Sequence, residues 1–202
     1  MRRWCVTEPD LRALHPPIAG PLADVTTDRL DLRRFRPGDE AVLAPVFAKP
    51  EVWRFPYGRG LGAEETAAFV ATQASHWDAC GFGCWLARER RGGRAVGFVG
   101  LSVPTFLPEV LPAVEVGWRF DPVVWGRGYA TEGATAALDQ AFATLGLDRV
   151  CSLPQAANPA SVRVAERLGL RAVRTLTLPA TERRGAVDAV LFSVAAAEWW
   201  DR

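Results

Sequence analysis

Histidine, cysteine and long apolar runs are all scarce in this chain of 202 residues. The two histidines are His15, in a proline-rich segment, and His76, near the end of a predicted helix, and we expect neither to be catalytic. The four cysteines form no Cys-x-x-Cys pair and have no histidine cluster beside them, which argues against a disulfide framework and a zinc site. No stretch has the apolar character of a signal peptide or a membrane span, so we expect a cytoplasmic protein that binds neither membrane nor metal.

The chain also lacks an excess of charge of either sign. Its 24 basic and 23 acidic residues are interspersed and give a formal net charge of +1, without the basic stripe that nucleic-acid binding requires. We therefore expect no nucleic-acid partner. Hydrophobic residues make up 49% of the chain, which is enough to bury one core. This predicts a single domain over residues 25–202, after an irregular, proline-rich N-terminal arm over residues 1–24.

Apolar spacing predicts an α/β (α+β) protein with about seven strands and about four helices. The predicted strands cover Leu30–Arg34, Cys84–Glu89, Ala95–Val103, Val114–Phe120, Val150–Leu153, Arg171–Leu178 and Ala186–Val194. The predicted helices cover Asp39–Ala48, Ala63–Trp77, a long segment from Thr131 to Leu145, and a segment from Pro159 to Leu168. A polar turn at Thr181–Gly185 separates the last two strands. Cys80 and Cys84 flank three residues that we interpret as a turn entering a strand rather than as part of a metal site.

The segment from Trp125 to Thr131 joins a predicted strand to the long helix and contains two glycines. Glycines let the backbone approach an anion closely, and the unpaired amides of a helix's first turn favour negative charge. The turn therefore predicts a phosphate site, although glycine can also serve only the geometry of such a turn. A Walker A loop is excluded because Tyr129 and Ala130, rather than Lys and Ser or Thr, follow the last glycine. A dinucleotide fingerprint is disfavoured because no acidic residue ends the next strand.

Three segments around this turn together resemble the GNAT superfamily of acetyltransferases. They are Val114 to Trp118, Trp125 to Glu132 and Asn158 to Leu170, in the same order and spacing as in that family. The resemblance is greatest to the RimJ/RimL-type branch of ribosomal-protein N-acetyltransferases, which often has tryptophan where the wider family has Gln or Arg at the position of Trp125. It implies a mixed central sheet whose fourth and fifth strands splay apart.

The resemblance also implies that acetyl-coenzyme A (acetyl-CoA) is the cosubstrate and that no metal takes part. The phosphate contacts would come from Gly126, Arg127, Gly128, Tyr129, Ala130 and Thr131. The pantetheine arm would lie in the gap between the splayed strands, along Trp118, Arg119 and Phe120, and close to Asn158. Gly117 interrupts the same strand and agrees with such an approach, although a curved strand also tolerates a glycine.

Acetyl transfer needs a neutral amine, so a base or a water chain must take a proton from the ammonium. Glu115 is the candidate base because it shares a strand face with Gly117 and Arg119, although a solvated glutamate and deprotonation by water are open alternatives. In the family, the pattern Asn-x-x-Ser lies near the sulfur, which implies that Ser161 donates a proton to the leaving thiolate. Asn158 before Pro159 would cap a helix whether or not it also touches the ligand.

The acceptor side is less clearly encoded. Trp53, Phe55 and Tyr57 lie between the first two helices, where the family binds its acceptor, and they would either line an amine pocket or cover the core. Trp199 and Trp200 would pack internally or form an association surface, which leaves a homodimer open. We expect an N-acetyltransferase acting on a protein N-terminal α-amine or a small amine. The alternative, a non-catalytic acyl-CoA-binding or regulatory module, is disfavoured by the polar residues beside the sulfur.

Overall fold

The protein is built around one mixed β-sheet that carries helices on both faces. The structure is a computed structural model, and it describes residues 10–181 and 184–202. Residues 1–9 of the predicted N-terminal arm and residues 182–183 of the predicted polar turn lie outside the described residues. Residues 10–24 contain a short 3-10 turn at Leu11–Ala13 and otherwise irregular backbone, from which Leu22 enters the core.

Within the described residues, eight strands form the sheet, one more than the sequence predicts. They are β1 (Val25–Thr26), β2 (Leu30–Arg34), β3 (Cys84–Glu89), β4 (Ala95–Ser102), β5 (Glu115–Phe120), β6 (Arg149–Ser152), β7 (Arg171–Leu178) and β8 (Val187–Ala195). Their order across the sheet is β1-β2-β3-β4-β5-β6-β8-β7. The seven longer strands match the predicted ones to within one residue at each end. The additional strand, β1, has two residues, which is too few for a period-two pattern to be recognised.

The neighbouring strands β5 and β6 run parallel to each other, and they separate soon after they begin to pair. Within the described residues the pairing of β5 with β6 is limited to Glu115 opposite Cys151, where the Cys151 N–H donates to the Val114 carbonyl at 2.9 Å. Beyond this point β6 ends at Ser152, whereas β5 continues to Phe120. The predicted splay is therefore confirmed, and it leaves one edge of β5 without a strand partner.

The helices are α1 (Asp39–Phe47), α2 (Arg54–Tyr57), α3 (Ala63–Cys80), α4 (Tyr129–Ala143), α5 (Pro159–Arg167) and α6 (Ala196–Trp200). The four predicted helices are α1, α3, α4 and α5. Helix α3 runs three residues beyond its predicted end at Trp77, because the left-handed C-cap is supplied by Gly81, with φ of 73°. Helix α4 begins two residues earlier than predicted, directly after Gly128. Helices α2 and α6 have four and five residues, too few to show helical periodicity.

Different helices cover the two faces of the sheet, as two adjacent residues of β3 show. Trp85 belongs to the larger core cluster, together with Leu138 of α4. Leu86 points the other way into a second, aromatic cluster that contains Phe47 of α1. On β5, Val116 belongs to the cluster beneath α4, so the opposite face of β5 is directed toward α1 and the segment that follows it. The candidate site lies on these central strands.

Candidate active site

The turn between β5 and α4 is fixed at its start by a buried carboxylate. Asp121 accepts a hydrogen bond from the Val123 N–H at 3.1 Å, which begins a 3-10 turn. It also forms an ion pair with Lys49, just after α1, at 2.7 Å. Gly126 and Gly128 follow with φ of 74° and 81°, values that residues with side chains rarely adopt. Both glycines are therefore required by the conformation of the turn itself.

The first turn of α4 presents the amides that the sequence predicts to hold phosphate. Gly128 caps the helix without a side-chain hydrogen bond, and the first helical bond runs from the Glu132 N–H to the Gly128 carbonyl at 2.9 Å. The N–H groups of Tyr129, Ala130 and Thr131 consequently have no backbone acceptor in the described part of the chain. Three free amides at the positive end of a 15-residue helix can bind an anion such as a pyrophosphate.

Arg29, which the sequence analysis did not single out, holds this turn from the side of β1 and β2. Its Nη1 donates to the Arg127 carbonyl at 2.7 Å, and its Nε donates to the Glu132 carboxylate at 2.6 Å. Glu132 also accepts from the Thr27 hydroxyl at 2.5 Å, and the Arg29 guanidinium lies 4.9 Å from the centre of the Tyr129 ring. Burial favours the protonated form of Glu132, but these hydrogen bonds outweigh it and lower the pKa of the carboxyl. Arg29 and Glu132 are 103 residues apart, so no local sequence pattern could have revealed the pair.

The predicted pantetheine contacts, residues 118–120, occupy the edge of β5 that has no strand partner. The Phe120 carbonyl at the end of this edge accepts a hydrogen bond from the Trp125 indole N–H at 2.8 Å. Gly117 pairs regularly with Gly100 of β4, so it does not mark a bulge. A Cβ atom at Gly117 would meet no atom within 4 Å, which shows that the space above this glycine is open.

Glu115 stands where β5 and β6 part, on the same strand face as Gly117. It is partly buried, and it forms no ion pair within the described residues. Burial raises the pKa of Glu115 to about 7, against the opposing effect of the Leu153 N–H. Glu115 interacts with two buried thiols, those of Cys84 and Cys151, and both are neutral. Burial is the main cause that raises the pKa of each thiol, and the negative charge of Glu115 raises it further. A carboxyl group that titrates near neutral pH is suited to accept a proton from an amine.

Asn158 and Ser161 form a hydrogen-bonded pair at the start of α5. The Asn158 Oδ1 accepts from the Ser161 N–H at 3.2 Å, and the Asn158 Nδ2 donates to the Ser161 Oγ at 3.0 Å. Asn158 is therefore the helix cap that the sequence predicts. The Ser161 hydroxyl accepts in this pair and keeps its own proton for donation. Because α5 follows β6 as α4 follows β5, both helices begin at the carboxyl end of the parallel pair, the edge where open α/β sheets bind ligands.

The three residues predicted on the acceptor side differ in their surroundings. Trp53 is 5% exposed and belongs to the aromatic cluster beside α1, where it stacks on the partly buried Tyr57 with ring centroids 5.6 Å apart. Phe55 is also partly buried, and its ring lies 5.7 Å from the guanidinium of Arg54. Arg119 reaches this group from β5, because its Cζ lies 4.0 Å from the centre of the Trp53 ring. The acceptor-side residues and β5 are thus in direct contact.

His76 and Cys80 have structural surroundings. The Nδ1 of His76 lies 3.0 Å from the Phe82 carbonyl, and its Nε2 accepts from the Val103 N–H at 3.2 Å. Burial lowers the pKa of His76 and raises that of Cys80 to about 11. Across residues 10–181 and 184–202, no three His, Cys, Asp or Glu side chains are grouped as metal ligands. The helices of that part of the chain are too short or too polar to cross a membrane.

Comparison with known proteins gives the family. The acetyltransferase (GNAT) domain matches residues 29–171, which is most of the chain. The protein therefore belongs to the GNAT family of N-acetyltransferases. The uncharacterized protein YkkB of Bacillus subtilis is 31% identical over 153 residues, which cover 75% of this chain and 87% of YkkB.

Two solved structures illustrate the shared fold. A GNAT-family acetyltransferase from Bacillus anthracis has a TM-score of 0.72 and 21% identity, over 87% of this chain and 99% of that one. The ribosomal-protein-S5-alanine acetyltransferase from Vibrio fischeri has a TM-score of 0.69 and 16% identity, over 88% of this chain and 99% of that one. At these identities the likeness shows the fold, a mixed sheet with one parallel pair at its centre.

GNAT acetyltransferases use acetyl-CoA, and the residues of this chain fit that molecule. The free amides of α4 suit a pyrophosphate, and the unpaired edge of β5 suits an extended amide-containing arm that would hydrogen-bond to it like an added strand.

Proposed function

We propose that this GNAT enzyme is of the RimJ/RimL type and transfers acetyl from acetyl-CoA to a primary amine, either a protein N-terminal α-amine or a small amine. One observation carries the proposal: Glu115, a carboxyl group without an ion-pair partner in the described structure, stands at the point where β5 and β6 part. The two helix N-termini that would hold the anionic and polar parts of the cosubstrate begin at the same edge. Base and cosubstrate site would therefore meet at one place.

In this proposal the cosubstrate is held mainly by backbone groups. The amides of residues 128–131, together with Gly126 and Arg127, bind the pyrophosphate, and residues 118–120 bind the pantetheine arm. We call residues 125–131 the phosphate turn. Arg29 and Glu132 act as positioning residues, because they tie the phosphate turn to the segment that leads into β2 without using its free amides. Asn158 orients Ser161 at the start of α5.

The chemistry that acetyl-CoA supplies is an activated acetyl thioester. Glu115, as the carboxylate, takes a proton from the ammonium of the acceptor, which leaves a neutral amine able to attack directly. The Ser161 hydroxyl donates a hydrogen bond or a proton to the departing thiolate. Trp53, Phe55 and Tyr57 lie beside the acceptor path. No covalent enzyme intermediate is needed, because the amine is itself the nucleophile.

In this proposal residues 25–202 act as one catalytic domain, and residues 10–24 of the N-terminal arm pack against it, with Leu22 in its core. A homodimer remains a prediction from the C-terminal tryptophans, of which Trp199 is 2% exposed and Trp200 is 57% exposed. Only Trp200 could therefore contribute to an association surface, and light scattering on the purified protein would test this.

The function is tested by following thiol release from acetyl-CoA in the presence of a panel of acceptors. The panel contains peptides with free N-termini, the same peptides with blocked N-termini, and small primary amines. We expect release with at least one free amine and none with blocked peptides. Coenzyme A binding without thiol release from any free amine would instead support the non-catalytic module.

A further inference from the structure

A partly buried positive charge, for which the described residues supply no negative partner, lies on the acceptor side of β5. The Arg119 side chain donates from Nη1 to the Val52 carbonyl and lies over the Trp53 ring, with its Cζ 4.0 Å from the ring centre. No carboxylate among the described residues pairs with it. By contrast, the partly buried Arg33 is paired with Asp39 at 2.6 Å. A guanidinium stays charged in a protein, so burying it without an anion is costly unless a ligand supplies one.

Two buried hydrogen-bond donors in the same place also lack acceptors. The Arg119 Nε and the Trp53 Nε1 are both buried, and neither has a hydrogen-bond partner within the described residues. Buried donors are almost always paired in folded proteins, so two unpaired donors on stacked side chains indicate that something else accepts their hydrogen bonds. Burial lowers the pKa of Arg119 to about 10, which reflects the same unfavourable surroundings of the charge.

The free donors and the candidate base lie at opposite ends of an open stretch of one strand face. Glu115, Gly117 and Arg119 alternate on that face, and the space above Gly117 is open. At about 3.3 Å per residue, the Cα atoms of Glu115 and Arg119 are about 13 Å apart along β5. The phosphate turn leads into α4 on the other face of the sheet, so the phosphates of the cosubstrate are not the anion that Arg119 lacks.

We propose that the acceptor carries a carboxylate, which binds Arg119 and the indole N–H of Trp53, while its amine lies at Glu115 and its chain crosses Gly117. This inference rests on the proposed function and names the class of its acceptor: an amine whose anionic group lies several bonds away. A guanidinium and an indole N–H converging on one carboxylate form charge-assisted hydrogen bonds. A plain alkylamine would leave both donors unpaired, and a neutral amide would offer them a carbonyl oxygen but no negative charge for the guanidinium.

The test measures binding, so that it does not depend on turnover. Calorimetric titration of the coenzyme A-saturated protein would compare ε-aminocaproate with ε-aminocaproamide, which has the same length and amine but no negative charge. We expect the carboxylate to bind at least tenfold more tightly. Arg119→Gln should bring the two affinities close to each other. Trp53→Phe, which keeps an aromatic ring but removes the N–H, should reduce the preference several-fold. Arg91→Gln, at an exposed turn, is the matched control and should keep it.

Equal affinities for the two probes, no binding of either, or a preference that survives Arg119→Gln in a folded protein would overturn the inference. If Arg119→Gln does not fold, Trp53→Phe decides in its place, because an unchanged preference in that variant has the same meaning. Thiol release separates this result from the proposed function. If the enzyme acetylates amines without preferring those with a carboxylate, the proposed function stands and the carboxylate site is wrong. If aminocaproate binding depends on Arg119 but no thiol is released from any amine, the carboxylate site stands and the proposed function is wrong.

Discussion

The chemistry of Glu115 follows from where its side chain is held. A glutamate on an exposed strand would be ionised far below neutral pH, whereas burial raises the pKa of Glu115 to about 7. The carboxyl is therefore mostly protonated at pH 6 and mostly ionised at pH 8.

Since only the ionised form of Glu115 can accept a proton, kcat/KM of the wild-type enzyme should rise as pH increases through 7. Glu115→Gln should lower kcat/KM roughly 100-fold near pH 7, and activity should recover as rising pH deprotonates the amine unaided. Initial rates of thiol release between pH 6 and 9.5 provide the measurement.

Two other variants show whether this profile belongs to Glu115. Glu64→Gln, on the exposed side of α3, should keep both the height and the shape of the wild-type profile. Ser161→Ala should lower kcat at every pH without moving the inflection, because the loss of a proton donor to the thiolate does not depend on the ionisation of Glu115. An unchanged profile in Glu115→Gln would make water, or another group, the base.

For the residues of β5, the sequence reveals only what strand alternation implies. Alternation places Glu115, Gly117 and Arg119 on one face of β5, and it requires nothing beyond six consecutive residues. It cannot reveal the depth at which Glu115 is held, because that depends on β6 and on the Leu153 segment. It also cannot reveal that Arg119 meets Trp53, since the contact forms between a strand and a loop far apart in the chain.

At the N-terminus of α5, one side chain has two roles. Asn158 caps the helix and holds the Ser161 hydroxyl, so Asn158→Ala should lower the free energy of unfolding by about 1 kcal/mol. It should also weaken coenzyme A binding, because the start of α5 loses its fixed geometry. Chemical denaturation of the apo protein measures the first effect, and calorimetric titration with coenzyme A measures the second. Reduced stability with intact affinity would make Asn158 a cap alone.

At α4 the corresponding support is the carboxylate of Glu132. Three donors converge on it, the Thr27 hydroxyl and the backbone N–H and Nε of Arg29, and the Arg29 side chain in turn holds the Arg127 carbonyl. Glu132→Gln removes the charge and replaces one acceptor oxygen by a donor, so the phosphate turn should lose its fixed shape. We expect KM for acetyl-CoA to rise several-fold while kcat changes little, as measured by steady-state thiol release.

A surface ion pair of similar composition serves as the control for Glu132. Glu109 pairs with Arg174 at 2.7 Å, with both side chains about half exposed and no contact with the phosphate turn. Glu109→Gln should leave KM for acetyl-CoA unchanged, since exposed pairs contribute little. If the two variants behave alike, Glu132 does not position the turn.

The sequence revealed the long elements because each carries a repeated apolar pattern. It also revealed the α5 cap, because Asn158 before Pro159 is a local signal. It missed α2, α6 and β1, which are too short to repeat any pattern. It missed the Arg29 and Glu132 support because ion pairs between distant segments have no period. The family motifs predict a phosphate site at the turn before α4, but the contacts of Arg29 that hold this turn in place became visible only in three dimensions.

The proposed cosubstrate site lies between elements that are already anchored to the rest of the fold. Helix α4 packs on β4 so closely that a Cβ atom at Gly133 would lie 2.6 Å from the Val99 Cγ1. The turn before it is tied to the segment after α1 through the ion pair of Asp121 and Lys49, and to the segment between β1 and β2 through Arg29. The free amides are therefore oriented before the ligand arrives, which lowers the ordering cost of binding.

Such a pre-formed site couples ligand binding to the stability of the whole fold. Coenzyme A at a concentration 100 times its Kd should stabilise the native state by about 2.7 kcal/mol, which corresponds to a rise in Tm of roughly 5–10 °C for a chain of this size. Gly128→Val should abolish most of that rise, because a branched side chain at φ of 81° blocks the approach of the pyrophosphate to the amides of α4.

Gly92→Val is the matched control for this variant: Gly92 also has a positive φ, 84°, but it lies in the turn between β3 and β4. Both variants should melt lower than the wild type without ligand, and only Gly92→Val should regain the full shift when coenzyme A is added. A full shift in Gly128→Val would mean that the pyrophosphate is bound somewhere other than at the start of α4.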